Sequence, residues 1–115
     1  MAMINSYSFG RIEINGHLYN SDLIIYPDGR VEYSWRREKG HKLKKHDILD
    51  LIEAKPEIII AGTGAMGCMA CSQGLKEYLD SMGIELIAVP SGEAVELYNK
   101  FSTTKRLGAC FHLTC

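Results

Sequence analysis

No apolar stretch of this chain approaches the roughly 20 residues that span a bilayer, so membrane insertion is not expected. The first ten residues lack the basic flank and apolar run of a secretory signal. Charge of one sign is also missing. With 13 Lys and Arg against 14 Asp and Glu, the formal net charge is −1, which gives no whole-protein pull toward nucleic acid or lipid. No internal repeat, low-complexity tract or linker interrupts the chain. A hydrophobic fraction of 46% against 23% charged residues is ordinary for a globular protein and excludes disorder. These absences predict a single domain over residues 1–115, placed in the cytoplasm by default. In that compartment its four cysteines, Cys68, Cys71, Cys110 and Cys115, stay mostly reduced.

Two textures are present. Phe9 to Ile14 and Val31 to Trp35 alternate apolar and polar residues, His17 to Tyr26 between them resumes the apolar pattern, and Asn15-Gly16 and Asp28-Gly29 separate the three. Those dipeptides supply the positive φ of tight hairpin turns, so a three-stranded meander is expected. Beyond it the period changes. Ile48, Leu49, Leu51 and Ile52 form a short helical stripe that Pro56 ends, and Ile58 to Ala61 is a strand apolar on both faces. Leu75, Tyr78, Leu79 and Met82 repeat at helical spacing up to Gly83. Ile84 to Val89 is a second buried strand, Ser91 offers a cap to a helix carrying Ala94 to Phe101, and Leu107 to Thr114 is a last strand. The predicted class is an α/β domain with an N-terminal β-meander followed by strand-helix-strand-helix-strand.

Chemistry concentrates between Glu57 and Cys71. Gly62-Thr63-Gly64-Ala65-Met66-Gly67 follows a strand and is expected to lead directly into a helix, so its backbone N–H groups point to a small-anion or ligand site. Ser91 faces that turn from the end of the next strand. The dinucleotide form of this pattern needs an acidic residue at the end of the following strand, and Ala88-Val89-Pro90-Ser91 offers none. Cys68-Met-Ala-Cys71 at a helix N-terminus has the logic of a dithiol redox pair, with Cys68 as nucleophile and Cys71 as resolving thiol. A four-cysteine zinc site is poor, because Cys110 and Cys115 are about 16 Å apart on one strand and face opposite sides. A set of Cys68, Cys71, Cys110 and His112 is stereochemically open, since 110 and 112 share a face. The bland reading makes all four thiols packing residues. No metal and no cofactor is assigned.

The segment Arg36 to His46 carries six Lys or Arg and one Glu, so the remainder of the chain sums to −6. It suits an acidic partner or a phosphate-bearing ligand, with a solvated connector as the plainer reading. Without interleaved aromatics it does not predict nucleic-acid binding. His17, His41 and His46 show no metal-ligand spacing, and Trp35 reads as a core or interface anchor.

Several of these residues together resemble a family. They are Phe9-Gly10-x-Ile12-x-Ile14-x-Gly16, Tyr19 and Asp22, Trp35 with its basic neighbours, and Gly62-Thr-Gly64-x-x-Gly67. Ala94 to Asn99 and His112-Leu-Thr-Cys115 complete the set. The chain resembles, over almost its whole length, the small domain shared by a mitochondrial complex I assembly factor, an adipogenesis-associated protein and many uncharacterised prokaryotic proteins. The resemblance implies a three-layer fold with a central mixed sheet whose last strand runs antiparallel between its neighbours. Cys110 would then begin near the glycine turn and Cys115 would lie toward the far edge. Cys68-x-x-Cys71 is not part of the family pattern, and Ser91 stands where the family tends to show threonine. Function is therefore expected to be that of a binding or assembly-type module with a ligand site at Gly62, Thr63, Gly64, Gly67 and Ser91. The alternative is dithiol redox chemistry at Cys68 and Cys71. A protein partner or small anion is expected, and a homo-oligomer is left open.

Overall fold

The apolar run that opens Ile58–Thr63 makes an inner strand of the main sheet of the protein, whose computed structural model describes residues 2–115; Met1 lies outside them. The strands are β1 (Ile4–Ser8), β2 (Arg11–Ile14), β3 (His17–Tyr19), β4 (Leu23–Ile25), β5 (Val31–Glu32) and β6 (Lys42–Leu43). They continue with β7 (Ile58–Thr63), β8 (Ala70–Cys71), β9 (Glu85–Val89) and β10 (Leu107–His112). The helices are α1 (Leu49–Glu53), α2 (Gln73–Ser81) and α3 (Ser91–Phe101), and a 3-10 turn over Lys45–Ile48 leads into α1.

A five-stranded mixed sheet in the order β5-β4-β10-β7-β9 is the middle layer. Along β7 the pleat sends Ile58 and Ile60 to one face and Ile59 and Ala61 to the other. The first face packs on Ala94 and Tyr98 of α3 and on Ile4, Ile12 and Ile14 of the small antiparallel sheet β1-β2-β3. The second packs on Leu51 and Ile52 of α1, Leu75 and Leu79 of α2, and Trp35. Both apolar faces are therefore covered, which gives the expected three-layer α/β architecture. Ile59 and Ile60 are fully buried, so truncating either to alanine costs about 2–5 kcal/mol.

The first hairpin dipeptide takes the positive φ expected at both of its residues, and the second takes it at Gly29 but not at Asp28. Asn15 and Gly16 both take positive φ, 51° and 80°, between β2 and β3, and Gly29 takes φ 92° before β5. The alternating region is divided, however. Its first part joins the added strand β1 in the small sheet, and β4-β5 joins the central one. Local turns specify each hairpin but not which sheet receives it.

One expectation is corrected. Strand β10 is antiparallel to β4 but parallel to β7, in the register Leu107↔Ile58 to His112↔Thr63. Its end, not its beginning, therefore reaches the glycine turn. Cys110 sits beside Ala61 within the sheet, and Cys115 lies against the turn instead of at the far edge.

Candidate functional site

Because β7 and β10 run in parallel, the turn after Thr63 and the segment after His112 leave the sheet side by side. The turn closes on that segment. Ala65 N–H donates to Thr114 O at 2.6 Å, and Met66 and Cys68 N–H donate to Cys115 O at 3.3 and 3.0 Å. Gly67 N–H donates to Gly64 O, and Met69 N–H to Thr63 O. Ser91 completes the clasp from the first position of α3. Its hydroxyl donates to His112 O at 2.6 Å and accepts from Gly64 N–H at 2.9 Å, while its own N–H donates to Gly64 O at 2.9 Å. Every backbone N–H from Gly64 to Met69 thus has an acceptor within the chain, which satisfies the rule for buried polar groups.

The glycines fit that role. A Cβ on Gly62 would meet Phe111 Cδ1 at 2.6 Å and Ser91 Oγ at 2.9 Å. Gly64, at φ +105°, would drive a Cβ into the main chain of Cys115 and to 2.8 Å from His112 Cδ2. Both positions admit only a hydrogen, because another strand of the same chain approaches there.

The structure brings Gly62, Thr63, Gly64, Gly67 and Ser91 together. Gly62, Thr63, Gly64 and Ser91 are buried, whereas Ala65, Met66, Gly67 and Cys68 face solvent. Met66 is 79% exposed. The turn does not lead directly into a helix. It leads into β8, and α2 begins only at Gln73, with Ser72 Oγ accepting from Leu75 N–H at 3.1 Å as the cap. Nor does Ser91 cap α3. The N-cap is Pro90, and the Ser91 hydroxyl is committed to the turn.

This geometry removes the support for a Cys68–Cys71 redox pair. Residues 68 to 71 alternate outward and inward: Cys68 and Ala70 are exposed, Met69 is buried and Cys71 is half-buried against Leu75 and its neighbours. The two thiols face opposite sides, and Cys68, four residues before the Ser72 cap of α2, is not at a helix N-terminus. Burial also holds the Cys71 thiol above its ordinary value, opposite to what a nucleophile needs. Cys110 is fully buried and raised further by burial, with Cys71 adding to the effect. The four-ligand set that includes His112 is equally divided: Cys68 is outside and Cys110 inside.

His112 is occupied elsewhere. Its Nδ1 lies 2.8 Å from Asp22 Oδ2, and Asp22 Oδ1 accepts Leu113 N–H at 2.8 Å. A carboxylate only accepts, so the Asp22 contact needs the hydrogen on Nδ1; Arg37 Nη2, which only donates, stands farther from the same nitrogen at 3.2 Å and makes no hydrogen bond to it in that arrangement. Arg37 Nη1 stands 2.9 Å from Asp22 Oδ2, at ion-pair distance but without hydrogen-bond alignment. Arg37 Nε and Nη2 donate to Gly40 O at 3.0 and 2.7 Å, and the guanidinium lies 4.7 Å from the Trp35 ring centroid. His41 packs edge-on to His112 at 5.5 Å. Nε2 is buried without a partner, out of reach of a substrate proton, so the pair holds structure rather than serving as a base.

The basic segment is therefore more than a solvated connector. The Arg37 side chain and Leu43 are buried in it, and β6 pairs in parallel with β8, setting Lys42 beside Ala70 and Leu43 beside Cys71. Lys44, at 2.7 Å, holds Glu38 below the usual carboxylate range. Arg36, Lys39 and Lys42 remain exposed and enter no ion pair among the described residues. The turn and the cationic segment thus form one surface. Asp22, Arg37 and His41 were not legible as partners of His112, since only tertiary structure joins them. A cleft of about 330 Å³ lies between α2 and β9, and one of about 210 Å³ beside Tyr26 and Asp47; neither is lined by the turn.

Over residues 4–112 the chain matches the family described as a protein of unknown function, DUF498/DUF598, and it belongs to that family. It is similar to a conserved hypothetical protein of Pyrococcus horikoshii, at 29% identity and TM-score 0.86, covering 97% of this chain and 98% of the other. It is equally similar in sequence, 29%, to the protein named MT938, with TM-score 0.83 and full coverage of both chains. The fold recurs, at 20% identity and TM-score 0.83, in a Bartonella henselae chain described as an outer membrane protein, covering 99% and 96%. These relatives name no activity. No helix among the described residues is long and apolar enough to cross a membrane.

Proposed function

We propose that this protein is a binding module of the assembly type rather than an enzyme, and that it captures an acidic protein segment at the glycine turn. Gly62, Thr63, Gly64, Gly67 and Ser91 shape the site, and the side chains of Ala65 to Cys68 contact the partner. The observation that carries this reading is Met66, an unbranched, adaptable apolar side chain held 79% exposed on a turn whose backbone is fully bonded. Lys42, in register beside Ala70 just after the turn, and the exposed Arg36 and Lys39 of the same segment add uncommitted positive charge, which steers an acidic partner. The resemblance to the domain of a complex I assembly factor is in keeping with such a role, and the cytoplasm is the compartment proposed. A small anion is the lesser form of the proposal, because it would have to displace Cys115 O from the amides of Met66 and Cys68.

The test is an amide chemical-shift titration with a Glu-rich octapeptide carrying two leucines, and separately with inorganic phosphate. Peptide-induced shifts confined to residues 36–42 and 65–68, lost in Met66→Ala and in Lys39→Glu/Lys42→Glu, support the proposal. Phosphate shifts centred on the amides of 64–68 select the anion form. Silence in both titrations makes the turn purely structural and ends it.

A further inference from the structure

Four cysteines allow several pairings, and the fold discriminates among them. Cys110 is fully buried inside the sheet, and Cys71 packs inward beside it; Cys68 and Cys115 are both exposed. The two exposed thiols belong to residues joined through the main chain, Cys68 N–H donating to Cys115 O at 3.0 Å. That bond, extended by standard N–Cα and O-to-Cα spans, caps the Cα–Cα separation at about 6.9 Å even if all atoms were collinear. Any bend shortens it into the roughly 4.4–6.8 Å that a disulfide spans. Met66 N–H on the same oxygen, and Ala65 N–H on Thr114 O, fix the register on both sides. Neither side chain is claimed by the core.

We infer that Cys68 and Cys115 are a redox-modification site, forming a reversible intramolecular disulfide that locks the segment after β10 onto the glycine turn. With hydrogen peroxide as oxidant, the thiolate of one cysteine attacks a peroxide oxygen, the O–O bond breaks and hydroxide leaves. The sulfenic acid so formed is attacked by the second thiol. The S–S bond forms, the S–O bond breaks and water leaves. In sum, two thiols and one peroxide give one disulfide and two waters. A small-molecule dithiol reverses the step by exchange, and an exposed bridge of this kind belongs to the reducible class. The chemistry differs from that of a Cys-x-x-Cys catalyst, since Cys71 takes no part. It stands whether or not the surface binds a partner.

The experiment is oxidation of the purified full chain with equimolar hydrogen peroxide, alkylation without reduction, and peptide mapping by mass. The expected product is a monomer about 2 Da lighter with a Cys68–Cys115 cross-linked peptide, restored by dithiothreitol. Cys115→Ser abolishes the cross-link, while Cys71→Ser leaves its rate unchanged. Amide exchange at Ala65 and Cys68 slows by about tenfold on oxidation, because local opening is then restrained. A Cys68–Cys71 bridge, an intermolecular dimer, or two freely alkylated thiols after peroxide would each overturn the inference.

Discussion

Asp22 and His112 lie ninety positions apart and meet at 2.8 Å, where one carboxylate serves three groups: the His112 ring, the Leu113 N–H and the Arg37 guanidinium. It thereby ties the segment entering β4, the basic segment and the end of β10 into one knot beside the glycine turn. The Arg37 side chain is only 4% exposed, so Asp22→Asn leaves a buried cation without its counter-charge and is expected to cost about 3–5 kcal/mol. Arg37→Met, which removes the cation instead, costs less. Urea denaturation of both singles and the double variant checks this: the double should be more stable than the summed singles by more than about 1 kcal/mol. Additive losses would mean that the two groups do not interact.

Gly64 and Gly74 make a contrasting pair. Gly64→Ala places a methyl at φ +105° against Cys115 and His112, and is expected to destabilise by about 2–4 kcal/mol or to lift the 113–115 segment from the turn. Gly74 lies in α2, and a methyl there would meet nothing within 4 Å, so Gly74→Ala should stabilise by about 0.5–1 kcal/mol. Thermal melts of the two variants suffice. Equal effects of the same sign would refute the account of Gly64.

Much of this fold is written in short stretches of sequence. Asn15-Gly16 and Asp28-Gly29 need only their own φ angles to make hairpins, and Ile58 to Ala61 or Leu75 to Leu79 declare strand and helix by period alone. The direction of β10 is not local. Its apolar run would satisfy either orientation against β7, and the crossover from β9 through α3, which returns the chain to the same end of the sheet, makes it parallel. The start of α2 was legible and was obscured by the cysteines: Ser72, three residues before Leu75, has the capping signature that Cys68 lacks. The knot at Asp22, Arg37 and His112 left no pattern, because three polar residues far apart in sequence become neighbours only after the sheet has formed.

Thiol reactivity should follow burial. Cys68 and Cys115 are exposed and are expected to be alkylated first in the reduced native protein. Cys71, half-buried with its thiol raised, should react about tenfold more slowly at pH 8, and Cys110 only on unfolding. Mass-resolved time courses at residue level read the order directly, and early labelling of Cys110 would contradict the packing of β10.

Alkaline pH should weaken the fold, and Tyr98 and Cys110 are the most deeply buried of the side chains that set the window, with Cys71, Tyr7 and Tyr26 shifted the same way. Burial pushes the Tyr98 phenol up to about 12 from an ordinary 10.0, and it raises the Cys110 thiol above its ordinary 9.0. In both groups the folded state favours the neutral form, whereas the unfolded chain ionises at the ordinary value. Their contribution is therefore complete below pH 9 and is lost as pH rises: the thiol's share from about pH 9, the phenol's between about pH 10 and 12. A two-unit shift at Tyr98 corresponds to about 2–3 kcal/mol. Unfolding free energies by urea at pH 8, 9, 10 and 11 should fall with increasing slope. Tyr98→Phe should shrink the part above pH 10, to which the Tyr7 and Tyr26 phenols, also raised by burial, contribute as well, and leave the earlier part in place. A profile flat to pH 11 in the parent protein would show that neither group is held neutral by the core.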